Sequence, residues 1–284
     1  MQLGIRLHDV NTSAPEAERT LEARAEKARA EGFRCVHLAL SKCISGVSFD
    51  GAALTEGLAA YVRRVFRERE LDVAVLGCYL NLAHPDAAKI KDFQSRYIGS
   101  LRVAALAGIG MVGTETGAPN AAYQLDTNTH SPEALRTFMW NLEPVLEQAE
   151  KFGVMFAIEP VWNHIVYNAD RALEVIEGMK SPNLRIIFDP VNLLGMENVD
   201  ARDQVIGEAM DKLCDHIAMV HLKDFVRADG RLVSVAAGTG EMDYTEILRF
   251  IKARKPWIQA TLENTTNDNA VQSKEFIETL YRSV

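Results

Sequence analysis

The chain has 284 residues, 31 basic and 39 acidic, for a formal charge of −8, and 48% of them are apolar. That apolar share suits a large buried core and excludes a disordered, collagenous or disulfide-stapled chain. The negative balance, with no long block of basic residues, argues against a non-specific nucleic-acid binder, and no apolar run approaches the ~18 residues needed to cross a bilayer.

The first residues place Arg6, His8 and Asp9 where a secretory signal needs an apolar stretch, so a cytoplasmic protein is expected. Short apolar, β-branched runs then alternate with longer amphipathic segments. The runs are Leu3–Leu7, Phe33–Leu40, Val73–Cys78, Ile109–Val112, Val154–Ile158, Leu184–Phe188, Ile217–Leu222 and Ile258–Leu262. They are almost continuously apolar, as strands covered on both faces should be. Cys35, Cys43, Cys78 and Cys214 form no Cys-x-x-Cys pair and read as reduced, buried thiols. The densest basic stretch, Arg63, Arg64, Arg67 and Arg69, is interleaved with Glu68 and Glu70 and reads as a solvated helix face.

Helix signals fill the gaps. Ser131-Pro132-Glu133 supplies an N-cap, a proline at the first helical position and an acid in the first turn, and Phe152-Gly153 supplies the stop. Asn168 and Asp170 open a helix carrying Leu173, Val175 and Ile176. Asp243-Tyr244-Thr245-Glu246 is an acid-capped analogue of the capping box. Gly32, Gly108 and Gly153 each stand between a helix and the next strand.

Strand–helix alternation implies a parallel sheet with right-handed crossovers. Eight units of about 35 residues, starting on a strand and ending on a helix, fit one closed (β/α)₈ barrel domain over residues 1–284. A dinucleotide-binding sheet lacks its fingerprint, because Gly108-Ile109-Gly110 precedes a strand, and no phosphate loop is present. Two stretches, Thr114–His130 and Lys223–Met242, exceed ordinary barrel loops and suit lids or subunit contacts. A homo-oligomer, dimer or tetramer, is compatible with the second role.

Such barrels build their sites at the C-terminal ends of the strands. The last four runs end in AIEP with Glu159, IFDP with Asp189, MVHLKD with His221 and TLENT with Glu263. Three carboxylates converging alone would repel and resist ionisation, which a divalent metal relieves. Three oxygen ligands and one imidazole suit Mn²⁺ best or Mg²⁺, and admit Co²⁺ or Zn²⁺. His8 ends the first run, within reach of the rim. His37 lies inside the second and reads as a satisfied core residue. Lys223, two beyond His221, either faces the site as an electrophile or pairs with Asp224.

The ordered set AIEP, FDPVN, VHLKD, GTGEMDY and LENT resembles the xylose-isomerase-like TIM-barrel superfamily, which includes sugar phosphate isomerases and epimerases, D-tagatose 3-epimerase-like enzymes, inosose dehydratases and endonuclease IV. The resemblance covers the whole chain. It implies that Glu159, Asp189, His221 and Glu263 bind a divalent metal and that Glu159 and Glu263 are the acid/base pair on opposite faces of a keto-sugar. The implied activity is a cytoplasmic, metal-dependent isomerase or epimerase of carbohydrate metabolism, with a lyase or dehydratase as the alternative on the same machinery. It also implies substrate contacts at Asn192, where the epimerases carry histidine, and at Arg227, six residues after His221. The loop VWNHIVYN is shorter than theirs and lacks a further glutamate; Trp162 can instead stack on a sugar face, with His164 nearby. Endonuclease IV needs additional zinc-binding histidines that are missing at Asn192 and around Asp229-Gly230-Arg231, while His84 reads as part of a plain loop. A non-catalytic barrel subunit would be marked by a broken ligand set, and all four ligands are present.

Overall fold

The computed structural model describes residues 1–284, the side chain of residue 17 excepted. Eight parallel strands close into a barrel: β1 (Gln2–Arg6), β2 (Cys35–Leu38), β3 (Asp72–Gly77), β4 (Met111–Glu115), β5 (Met155–Glu159), β6 (Leu184–Phe188), β7 (Ile217–Leu222) and β10 (Gln259–Leu262). Neighbours in the chain are neighbours in the sheet, and β10 closes on β1 with Leu3 beside Ala260. This is the expected (β/α)₈ TIM barrel. Its main helices are α1 (Leu21–Ala30), α3 (Glu56–Arg67), α4 (Ala87–Ala107), α5 (Pro132–Phe152), α6 (Ala169–Met179), α7 (Arg202–Leu213), α8 (Thr245–Arg254) and α9 (Ala270–Ser283), with a single turn, α2 (Leu40–Cys43), after β2. Among the described residues no helix is long and apolar enough to cross a membrane.

The expected punctuation is present. Ser131 accepts from the Ala134 N–H and Pro132 opens α5, while Gly108 and Gly153 end α4 and α5 in the left-handed conformation. Asn168 caps α6 by accepting from the Arg171 N–H. Asp243 accepts from the Thr245 N–H in a turn before α8, although Tyr244 occupies the cap position itself.

The stretch 223–242 is not an irregular loop. It holds an antiparallel hairpin of β8 (Asp224–Ala228) and β9 (Arg231–Val235). Asp229 and Gly230 both take positive φ, 51° and 71°, the geometry of the tight turn that matches strand twist. The Asp-Gly pair between alternating residues was the available signal.

Strand alternation positions the site. Inside the barrel Cys35, Val75, Met111, Ala157, Ile187 and Met219 pack as one buried cluster. Side chains two residues further along a strand emerge on the same face. That layer therefore holds His37, Gly77, Gly113, Glu159, Asp189 and His221. A β-carbon at Gly77 would lie 2.5 Å from His37 Nε2 and 2.8 Å from the Tyr79 ring, so glycine there makes room for both. Burial pushes the Cys35 and Cys43 thiols up to about 12, which keeps them protonated and unreactive.

Candidate active site

The four residues singled out at the strand ends meet at one place. Glu159, Asp189, His221 and Glu263 are all buried, at most 4% exposed. His221 Nδ1 stands 3.4 Å from Glu159 Oε2 and 3.4 Å from Glu263 Oε1. One donor atom each from Glu159, Asp189 and His221 lie within 4.8 Å of one another, and the same holds for His37, His221 and Glu263. Neither ring nitrogen of His221 has a hydrogen-bond partner, although the side chain is fully buried. Leaving a buried imidazole unsatisfied is costly, and a cation between it and the carboxylates would satisfy it. Glu115, Glu159 and Glu263 line the cavity with Asp189 buried beside them, against the cations Arg6, Lys223 and the exposed Lys42. The donor set therefore fits a divalent metal.

Backbone and side chains orient these acids. Asp189 Oδ1 accepts from the N–H groups of Val191 and Asn192, which fixes the turn after β6. Asn192 Nδ2 donates to Glu159 Oε1 at 2.6 Å. Lys223 Nζ pairs with Asp189 Oδ2 at 2.7 Å and approaches Glu263 Oε2 at 3.6 Å. Its partner is thus Asp189, not the adjacent Asp224.

The two glutamates are treated differently. Burial, reinforced by Glu263, pushes the Glu159 carboxyl up to about 7. Burial also opposes charge on Glu263, yet His221, Lys223, His37 and Arg6 together hold its carboxyl well below the usual carboxylate range. Burial raises Asp189 against the pull of Lys223 and lowers His221.

A cavity of about 250 Å³ opens onto this cluster, lined by Arg6, His8, Lys42, Tyr79, Glu115 and Asn192 among others. His8 follows β1 in a short turn and burial drives its imidazole down to about 3. Trp162 is half-buried beside the site, its backbone N–H donating to the Asn192 carbonyl at 2.7 Å, but its side chain does not line the cavity. Arg227 lies outside it on the hairpin, exposed, pairing with Asp200 at 2.7 Å and Glu241 at 3.2 Å. The spacing from His221 counted residues along a chain that turns away into β8.

Three residues of the site, His37, Arg6 and Glu115, were not recognised as such in the sequence. His37 is not an inert core residue. Its Nδ1 lies 3.3 Å from Glu263 Oε1, its Nε2 bonds the Tyr79 hydroxyl at 2.8 Å, and its ring stacks on His221 at 5.1 Å. Arg6 Nη1 pairs with Glu263 Oε2 at 3.2 Å while its Nε holds Asp9. Glu115, at the end of β4, lies beside Glu159 in register, and burial pushes its carboxyl up to about 7. His37 was legible by parity, two residues beyond Cys35, and so was Glu115, two beyond Gly113.

Residues 25–280 match the model of the xylose isomerase-like TIM barrel family, and the chain belongs to that family. It is 24% identical over 153 residues to a probable L-ribulose-5-phosphate 3-epimerase of Mycoplasma pneumoniae, a match covering 54% of this chain and 48% of that protein. The match thus spans about half the length of that curated relative. Among solved structures the fold is shared with a D-tagatose 3-epimerase-like protein, at 19% identity and TM-score 0.76 over 100% of this chain and 98% of the other. It is shared also with the 3-keto-D-glucoside 4-epimerase of E. coli, at 15% identity and TM-score 0.75 over 98% and 99%.

Proposed function

We propose that the protein is a divalent-metal-dependent sugar epimerase or isomerase that moves a proton beside the carbonyl of a keto-sugar. The observation that carries this reading is the placement of Glu159 and Glu263. They rise from β5 and β10, which are not neighbours in the barrel, and each brings an oxygen to 3.4 Å from the same His221 nitrogen. Two carboxylates separated by no more than twice that distance can attend opposite faces of one carbon. One removes a proton and the other returns one on the far side.

Glu159, Asp189, His221 and Glu263 would hold the metal. When bound, it supplies positive charge to polarise the substrate carbonyl and to offset the charge that develops as the proton leaves. The oxygen-rich set with one imidazole favours Mn²⁺. Asn192 keeps Glu159 oriented through its amide, and Arg6 and His37 keep Glu263 oriented and ionised. Lys223, paired with Asp189, places an ammonium where a sugar oxygen can share it. The elimination route expected as an alternative uses the same first proton transfer and differs in its product.

The test is solvent exchange. Metal-loaded protein incubated in D₂O with L-ribulose, D-fructose and a 3-keto-D-glucoside should place deuterium beside the carbonyl and yield the epimer or isomer. Loss of water or of the aglycone would assign a lyase. Absence of exchange in all three sugars would sink the reading.

A further inference from the structure

Glu159, Asp189 and Glu263 have a place in the metal-ligating groups, and that leaves one acid of the cavity without a role. Glu115 lines the same cavity as Glu159 and Asn192, but belongs to neither group of candidate ligands. Its surroundings are built. The Tyr123 hydroxyl donates to Glu115 Oε2 at 3.3 Å. His164, buried and with Nδ1 unpartnered, brings that nitrogen to 3.9 Å from the same oxygen and packs edge to face on Tyr123. Tyr123 is held at a left-handed φ of 56°, a strained conformation for an aromatic residue. The Asn81 side chain, which donates to the carbonyls of Ala118 and Asn120, clamps the loop that carries it. Among the described residues no hydrogen bond or ion pair engages Glu115 Oε1.

A carboxylate with one oxygen tied down and the other free is an acceptor for a hydroxyl donor. It is also a repulsive neighbour for a second anion. We propose that Glu115, seated by Tyr123 and His164, accepts a hydrogen bond from a sugar hydroxyl beyond the reacting carbons and thereby selects an unphosphorylated sugar over its phosphate ester. This rests on the sugar-epimerase reading above and names its substrate class. It separates this chain from the M. pneumoniae relative, a probable epimerase of a sugar phosphate. Arg6 is engaged by Asp9 and Glu263, and Lys223 by Asp189. Lys42, exposed and lining the same cavity, is the cation a phosphate would use.

The experiment compares L-ribulose with L-ribulose 5-phosphate on the metal-loaded full chain, by deuterium exchange and by calorimetric binding, in wild type, E115Q and Y123F. Wild type should favour the free sugar at least tenfold in kcat/KM. E115Q should raise KM for the free sugar about tenfold, change kcat by less than threefold, and narrow the discrimination. Y123F should move in the same direction, by less. Bound metal per chain should not change in either variant. Preference for the phosphate in wild type would overturn the proposal, as would a fall in kcat at constant KM in E115Q, or no effect of E115Q at all. If no sugar exchanges deuterium, the epimerase reading fails and binding decides the subsite. Free-sugar binding weakened by E115Q supports it, and no binding, or binding indifferent to E115Q, overturns it.

Discussion

The rim of the barrel has two unlike halves. Strands β5, β6, β7 and β10 deliver Glu159, Asp189, His221 and Glu263, each buried and each fit to ligate a cation. Strands β1 to β4 and their following turns deliver Arg6, His37, Tyr79 and Glu115, which mostly contact one another or the first half. The first half concentrates negative charge in a dry place, a state that needs a cation. The second half supplies hydrogen bonds and one further carboxylate, which suits recognition and orientation. Both rest on the same parity, side chains an even number of residues along the chain from an inward-facing strand position, so the difference lies in chemistry and not in scaffold.

The sharpest way to break this division is to neutralise one acid of the first half. Glu159→Gln keeps the shape and an acceptor for Asn192, and removes the proton acceptor. Solvent exchange should fall by about 10²–10⁴-fold. Because burial and Glu263 disfavour the Glu159 charge, the metal-free variant should melt at the same temperature or higher. Exchange within threefold of wild type would remove Glu159 from the chemistry.

A second measurement addresses the cation directly. Metal at 100-fold its Kd stabilises a folded protein by about 2.7 kcal/mol, which for a chain of this size raises Tm by roughly 5–10 °C. Mn²⁺ should give that rise in wild type, chelation should reverse it, and His221→Asn should remove most of it. The same variant at His37 should keep most of the rise, because the second half orients and does not form the main ligand group. Equal losses from both would mean that the ion sits nearer the His37, His221 and Glu263 group.

These contrasts also explain what could be read from the sequence. The barrel was legible because Leu184–Phe188 and Ile217–Leu222, interrupted only by Arg185 and His221, are almost continuously apolar runs that the structure keeps residue for residue. Their ends carried Asp189 and His221 into view. β4 was read as Ile109–Val112 and stopped short of Glu115. Gly113 interrupts its apolar run because a β-carbon there would lie 2.7 Å from Val75 and 2.6 Å from Ile187 inside the barrel. A packing constraint thus looked like a loop signal and hid a site residue. Arg6 was hidden differently, since a charge two residues beyond Gly4 has meaning only once the strand's inward face is known. The hairpin of β8 and β9 was masked by reading 223–242 as one loop despite its Asp-Gly turn.

The buried histidine of the β5 turn that faces Glu115 makes its own prediction in pH. Burial drives His164 down to about 4 in the folded protein, against 6.5 when unfolded. The unfolded chain therefore binds the proton more readily, so folding stability is full above pH 6.5 and falls as pH drops toward 4. Between pH 7 and pH 5 this one residue should cost about 2 kcal/mol. Urea melts of the metal-free protein should show His164→Gln with a shallower loss over that interval than wild type. Parallel pH dependences would show that another group governs acid sensitivity there.

The smallest effect is expected at the residue where the resemblance and the geometry diverge. Arg227 has the spacing of a substrate contact, yet it sits on the exposed edge of the hairpin and spends its guanidinium on Asp200 and Glu241. Exposed pairs of this kind contribute little, because water screens them and both side chains lose freedom. The hairpin does not depend on it. Buried Asp224 anchors the return of the chain by accepting from the N–H groups of Phe225, Gly238, Gly240 and Met242. Arg227→Ala should therefore leave kcat and KM within twofold and Tm within about 1 °C. A large rise in KM would show that the hairpin folds over the bound sugar and carries Arg227 to it, and the rim would then recognise substrate from β8 as well as from β1 to β4.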